Sequence, residues 1–254
     1  MKISIITVVY NNDQTIKDCI DSVLSQTHNN IEYIVIDGLS SDRTVDIIKS
    51  YGNRVDKFIS EKDNGLYHAM NKGIELATGD IIGFLHSDDF YSDTEVLSDI
   101  VNKFIRNPLL DACYGDLIYT NQYDTSRVIR YWKSNKFIPG SFSKGWSPPH
   151  PTFFVKHQTY KKFGNFNTRY NISSDIDLMM RFLEVHKINV EYIPQILVKM
   201  RIGGISNKGL KNLFKQNLEV LSALKSHNLP KNIFTFFISK IASRLMQFFH
   251  RPSN

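Results

Sequence analysis

Gly79-Asp80-Ile81-Ile82-Gly83-Phe84-Leu85-His86-Ser87-Asp88-Asp89 sets a short apolar run between a glycine and two adjacent carboxylates. Such a run reads as a buried parallel strand, and strands of this kind open at their carboxyl ends onto a ligand crevice. Two acids at that place suit a metal ion and a phosphate. They equally suit a helix N-cap, because Ser92-Asp93 and a periodic run from Val96 to Ile105 follow. The chain on either side has to decide between these readings.

Upstream, Ile3 to Val9 is an apolar, β-branched run that stops at Tyr10-Asn11-Asn12-Asp13, a first strand and a turn. Ile16, Cys19, Ile20, Val23 and Leu24 recur at helical spacing, and Ile31 to Ile36 gives a second strand ending at Asp37-Gly38. Ser40, Ser41 and Asp42 supply caps for a helix carrying Val45, Ile47 and Ile48. Lys57 to Ser60 reads as a short third strand. A helix after Asp63-Asn64-Gly65 carries Leu66, Met70, Ile74 and Ala77 on one stripe, with Gly79 as its C-cap. Alternation of this kind implies a parallel sheet with right-handed crossovers. Tyr10, Asp37 and Asp88-Asp89 then gather along one edge of it.

Downstream of Asp111 the pattern changes to an antiparallel extension, with strands over 112–119 and 127–132. Ser147-Pro148-Pro149-His150-Pro151 is a stiff bend leading into Thr152 to Val155. Asp175 and Asp177 lie in the first turn of a helix, and short strands over 190–193 and 196–200 close the body. Beyond it Leu210, Leu213, Phe214, Leu218, Leu221 and Leu224 form one helical stripe, and Pro230 breaks the chain. We therefore divide the chain into a body, 1–206, and a helical tail, 207–254.

With 254 residues, 42% hydrophobic and 22% charged, the chain has the makeup of an ordinary globular domain. Cys19 and Cys113 fall in apolar-periodic segments, as core thiols do in a reducing, cytosolic setting. The start at Lys2-Ile3-Ser4 is a strand pattern without a basic leader, and no apolar stretch is long enough to cross a bilayer. Net charge is +6, but the eight Lys and Arg from Asn207 onward face only Glu219, so the tail carries +7 and the body −1. This points to an anionic surface met by the tail and argues against nucleic-acid binding by the body. Phe234, Phe237, Ile238, Ile241, Leu245, Phe248 and Phe249 share a face flanked by Lys240 and Arg244. That face suits an anionic membrane surface, or packing on the body or on a twin subunit in a homodimer.

Ser4-Ile5-Ile6-Thr7-Val8-Val9-Tyr10-Asn11, Ser25-Gln26-Thr27 and Ile36-Asp37-Gly38-Leu39-Ser40-Ser41-Asp42-Arg43-Thr44 resemble the opening of family 2 glycosyltransferases. Gly65-Leu66-Tyr67, Ala69-Met70-Asn71-Lys72-Gly73-Ile74, Ala77-Thr78-Gly79-Asp80 and Ser87-Asp88-Asp89 continue that pattern in order, and the resemblance covers residues 3 to about 206. It implies a GT-A fold, a nucleotide-sugar donor, a divalent metal (Mn²⁺ or Mg²⁺) and inversion at the anomeric carbon. On that resemblance Asp89 ligates the metal and Asp88 reaches the ribose or the metal's water shell. Tyr10 offers a face to the base and Asp37 lines the nucleotide pocket; their alternatives are core packing and a cap. Two positions depart from the family pattern: Gly38, where many relatives carry a second acid, and His68, where close relatives often carry one.

An acceptor hydroxyl holds its proton too tightly to release it unaided near neutral pH, so inverting transfer needs a base. Ser174-Asp175-Ile176-Asp177-Leu178 resembles the family's acidic motif, with Asp175 matching the base and Asp177, two residues on, directed elsewhere. Helix N-terminal stabilisation is the alternative for both. His150 matches a position often filled by histidine on the acceptor side. Arg201 with Gly203-Gly204 and Ser206 resembles a loop that closes over the diphosphate. The expected activity is transfer from a UDP-sugar to a lipid-linked or lipopolysaccharide-type polysaccharide acceptor at the cytoplasmic membrane face. An inactive membrane scaffold is the alternative from another class. A nucleotidyltransferase fits less well, since Tyr10-Asn11-Asn12-Asp13 has neither the glycine nor the basic residue that such a loop needs.

Overall fold

The computed structural model describes residues 1–203, 210–230 and 232–249. Gly204, Ser206 and Asn207 of the readings above, and three of the eight tail cations (Lys208, Lys231 and Arg251), lie outside the described residues. In chain order the elements are β1 (Ile3–Val9), α1 (Ile16–Leu24), β2 (Ile31–Asp37), α2 (Thr44–Ser50), β3 (Lys57–Ser60), α3 (Leu66–Leu76), β4 (Ile81–Phe84) and β5 (Asp89–Tyr91). They continue with α4 (Val96–Arg106), β6 (Ala112–Thr120), β7 (Val128–Trp132), β8 (Phe154–Lys156), α5 (His157–Phe163), α6 (Ser174–Met180), β9 (Val190–Arg201), α7 (Leu210–Ser226) and α8 (Ile233–Phe249).

The strands join in the order β3-β2-β1-β4-β8-β6-β9-β5, with β7 on β6. The first four are parallel, as β/α alternation requires. β8 joins β4 and β6 antiparallel, and β9 returns parallel to β6. Side chains alternate across the sheet, so β1 sends Ile3, Ile5 and Val9 to one core, with α1 and α4, and Ile6 to the other. That second core also takes α3, α6, Val220, Ala223 and Leu224 of α7 and Phe236 of α8. The helices of the tail therefore pack on the body.

Three local expectations change. The quoted stretch does not carry its strand into the acids: β4 ends at Phe84, and a turn closed by the Asp89 amide on the His86 carbonyl (2.9 Å) delivers Asp89 to the start of β5. Gly79 is not a C-cap, since α3 closes at Ala77. A Cβ on Gly79 would stand 2.8 Å from the Ser4 amide nitrogen, so glycine is required there by close approach of β1. The short strands over 190–193 and 196–200 are one strand, β9. Its register against β6 slips between Tyr114 and Asp116, where Pro194 lacks the amide a regular ladder would use.

Glu32 ties these layers together. Its buried carboxylate accepts from Ser4 Oγ (2.6 Å), the Thr78 amide (2.7 Å) and hydroxyl (2.7 Å), Lys57 Nζ (3.0 Å) and Lys2 Nζ (3.2 Å). Burial would lift its pKa, but the bonds from Ser4, Thr78 and Lys57 outweigh it and hold the group far below the usual range. This stabilisation is full above the unfolded value of about 4.3 and is lost as pH falls through the folded one. Glu32→Ala is expected to cost about 2–3 kcal/mol in urea unfolding at neutral pH, with the loss shrinking in acid. A pH-independent loss would contradict this account.

Candidate active site

β1 and β2 end side by side, with Val9 opposite Asp37 and the Gly38 amide donating to the Val9 carbonyl at 2.9 Å. Tyr10 follows β1 and is 65% exposed, which removes the core-packing alternative. A Cβ on Gly38 would sit 3.4 Å from Tyr10 Cδ2, so the glycine keeps the ring's flank open. Asp37 is fully buried; its carboxylate accepts from the Ser40 amide (3.0 Å) and from the hydroxyls of Ser40 and Ser60 (2.6 Å for Ser60). It caps the turn that frames Tyr10. The first turn of α2 is capped instead by Asp42, which takes the Thr44 amide at 3.0 Å.

The turn before β5 is tied to the connection between β1 and α1: Asn12 Nδ2 donates to Ser87 Oγ (2.9 Å) and Thr15 Oγ1 to the Ser87 carbonyl (3.0 Å). Asp88 is half-buried, and Asp89 is fully buried with no hydrogen-bond partner for either carboxylate oxygen among the described residues. Burial and the neighbouring Asp88 drive the Asp89 pKa well above the carboxylate range, against the pull of Arg201. The helix-cap alternative fails, because Asp93 takes the Glu95 amide (2.9 Å) ahead of α4. An acid with two desolvated, unpaired oxygens lacks a cation, so Asp89, with Asp88 beside it, fits a divalent ion held by oxygen. Among the described residues no group of three His, Cys, Asp or Glu converges on one point, so water, carbonyl oxygens or a substrate would complete the coordination shell.

Arg201 is the last residue of β9, paired with Thr120, rather than part of the loop beyond. Its guanidinium donates to the Asp88 carbonyl (3.0 Å), pairs with Asp18 of α1 and stands 4.9 Å from the Phe90 ring. It clamps the acidic turn against α1. His150 lies in a short 3₁₀ turn with its ring 5.5 Å from Phe84 and Phe166 and 5.9 Å from His86. Burial, then His86, brings its pKa down to about 3, so it is neutral, and its Nε2 has no partner among the described residues.

Asp175 opens α6 half-buried and accepts from the Tyr67 hydroxyl at 3.0 Å. Burial raises its pKa to about 6, against the Ile176 amide and Tyr67. Asp177, two residues along, points to α7 and meets His227 Nε2 at 2.8 Å. The structure thus groups Tyr10 with Asp37, and Asp88 and Asp89 with Arg201 and, through His86, His150; Asp175 stands with Tyr67. Sequence reading gave no site role to His86 or to Tyr67 as the partner of Asp175, and placed Lys240, which senses the Asp175 charge, only at the flank of the tail's apolar face. His86 lies inside the opening stretch and could have been found there. The Tyr67–Asp175 pair is 108 residues apart and leaves no local trace. Two open hollows of about 430 and 350 Å³ between α4 and β9 involve none of these groups.

The family model for "Glycosyl transferase family 2" matches residues 4–174. The chain belongs to that family. An uncharacterized glycosyltransferase of Rickettsia typhi is 31% identical over 235 residues, 90% of this chain and 72% of its own. A PGL/p-HBAD biosynthesis glycosyltransferase of Mycobacterium tuberculosis is 26% identical, over 87% of this chain and 85% of its own. The family 2 fold is GT-A. S. aureus TarS 1-349 in complex with UDP-GlcNAc superposes with a TM-score of 0.64 at 15% identity, over 95% of this chain and 73% of that one. This chain spans 44% of the longer TarS structure. The mannosyltransferase PcManGT of Pyrobaculum calidifontis, in complex with GDP-Man and Mn²⁺, superposes at 0.64 and 18% identity, over 96% of this chain and 69% of that one. No described helix is long and apolar enough to cross a membrane.

Proposed function

We propose that this glycosyltransferase is a metal-dependent, inverting enzyme. It moves a hexosyl or N-acetylhexosaminyl group from a UDP-sugar to a lipid-linked or polysaccharide acceptor of the cell surface, at the inner membrane face. The observation that carries the reading is the contrast between two acids. Asp89 is buried without a hydrogen-bond partner among the described residues, as a cation ligand would be, and the Asp175 pKa stands at about 6 with a hydroxyl bonded to it. Mn²⁺ or Mg²⁺ at Asp89 would neutralise charge on the departing diphosphate. In this reading Asp175 takes the acceptor proton as the hydroxyl oxygen attacks the anomeric carbon. The sugar–phosphate C–O bond breaks, and UDP leaves with its electron pair.

The other residues serve positioning. Tyr10 presents an exposed ring to uracil beside Gly38, the Asp37 turn and Asp88 flank the nucleoside, and Arg201 places positive charge near the diphosphate. His150, neutral and with its Nε2 unpartnered among the described residues, serves the acceptor side. TarS and PcManGT bind nucleotide sugars on the same fold, one with UDP-GlcNAc and one with GDP-Man and Mn²⁺, which supports a nucleotide-sugar donor and a divalent metal here. Residues 1–206 form the catalytic unit and 207–254 the tail. Phe234, Ile238, Ile241, Leu245 and Phe248 of α8 stay more than half exposed, an apolar face that a membrane surface would cover.

A thermal-shift panel of UDP-, GDP- and dTDP-sugars with Mn²⁺ tests the donor. A UDP-sugar at a hundred times its Kd adds about 2.7 kcal/mol, or roughly 5–10 °C for a chain of this size. A shift with only GDP- or dTDP-sugars moves the donor class, and no shift with any of them rejects the reading.

A further inference from the structure

Where α8 crosses β7, Lys240 and Arg244 are one helical turn apart, and Phe248 follows one turn on. Arg130 of β7 lies between the rings of Tyr119, 3.8 Å from its guanidinium carbon, and Phe248, 5.9 Å away. All three cations are half-buried, and among the described residues none forms an ion pair with an acid. Lys240 Nζ spends one donor on Asn217 Oδ1 at 2.7 Å. Their fields oppose each other. Burial and then Arg130 pull Arg244 below its usual range, and burial and then Arg244 bring Lys240 down to about 8, with Asp175 alone acting the other way. Like charges held together out of water without an acid are relieved by an anion.

The cluster borders both halves of the site. Tyr119 lies within the fields of Asp89 on one side and of Arg130 and Arg244 on the other, and Lys240 lies within that of Asp175. Beside the cations, Ile241 and Leu245 of the same helix are 59% and 56% exposed. A ligand that satisfies this surface joins an oxyanion with several acceptors, matched to guanidinium forks, to a hydrocarbon chain. A nucleoside diphosphate has no such chain.

We infer that Arg130, Lys240 and Arg244 form a binding site for the phosphate of a lipid-linked acceptor, whose hydrocarbon runs along Ile241 and Leu245 and whose sugar hydroxyl is thereby presented to Asp175. This rests on the reading of the chain as a transferase with a lipid-linked acceptor. It adds the site that recognises the acceptor, and it makes α8 part of the acceptor pocket as well as a surface anchor.

The test uses the full chain with Mn²⁺ and lipid nanodiscs of three compositions: phosphatidylcholine alone, with phosphatidylglycerol, and with a long-chain prenyl monophosphate at equal charge. The wild type is expected to prefer the prenyl-phosphate discs about tenfold over phosphatidylglycerol. Arg130→Gln/Arg244→Gln is expected to lose that preference while its UDP affinity stays within error and its melting temperature falls by no more than a few degrees, because the Arg130 contact with the Tyr119 ring is lost but no ion pair is broken. Lys240→Met, as a second variant, is expected to lose several-fold. Equal binding of the wild type to both anionic discs overturns the proposal and assigns the cations to bulk headgroups. A preference that survives in both variants overturns it as well. A matching fall in UDP affinity overturns it in favour of the donor diphosphate. Failure of the wild type to bind UDP would instead remove the UDP-sugar reading of the donor, which the same protein reports separately.

Discussion

Asp89→Asn is expected to lower kcat/KM by about a thousandfold, near 4 kcal/mol, while the ligand-free protein melts at the same temperature or higher. Asp89 is fully buried with both oxygens unpartnered among the described residues, so burial and Asp88 disfavour its ionised form until a cation arrives. Asparagine keeps the shape and removes the charge, so the loss falls on metal and diphosphate and spares the fold. The measurement is UDP affinity with and without Mn²⁺. In the wild type the metal should strengthen binding, and in the variant it should not. A variant in which Mn²⁺ still tightens UDP would return Asp89 to a structural role.

Asp175→Asn is expected to lower kcat by a factor of about 10²–10⁴ with donor affinity retained, as removal of a general base does. The wild-type rate should rise with pH through about 6 and level off above it, since the base acts only when deprotonated. Tyr67→Phe removes a hydroxyl that favours the ionised carboxylate, so the rising limb should move up by about one pH unit. An inactive scaffold predicts neither the limb nor its movement. A profile that is unchanged in Tyr67→Phe would refute the assignment of Asp175.

Much of this molecule is written in local pattern. Period-two and helical spacing placed β1, α1, β2, α2, β3 and α3 within a residue or two of where they fold, because each buries one face against its neighbours. The order of motifs from Ser4 to Asp89 named the family before any coordinates, and the family model confirms it over 4–174. The acids themselves were visible at Asp88, Asp89 and Asp175. What they do was not, because a carboxylate's chemistry depends on neighbours far along the chain. Asp93, four residues past Asp89, takes the cap that Asp89 could have filled, and leaves Asp89 buried without a hydrogen-bond partner among the described residues.

Gly79 looked like a helix stop from its position after α3, but the reason for it is the Ser4 backbone, 75 residues away. Val190–Arg201 looked like two strands because Pro194 interrupts the pattern, whereas pairing with β6 carries the chain through as one. The tail read as a surface helix from its periodicity and charge, and part of it is. Packing of Phe236 into the second core turns Lys240 toward Asp175 and Arg244 toward Arg130, and no local pattern encodes that. Spacing along the chain sets which face of an element is apolar. Which charges then meet across elements follows from how those faces pack, and the acids and cations of this site take their chemistry from that packing.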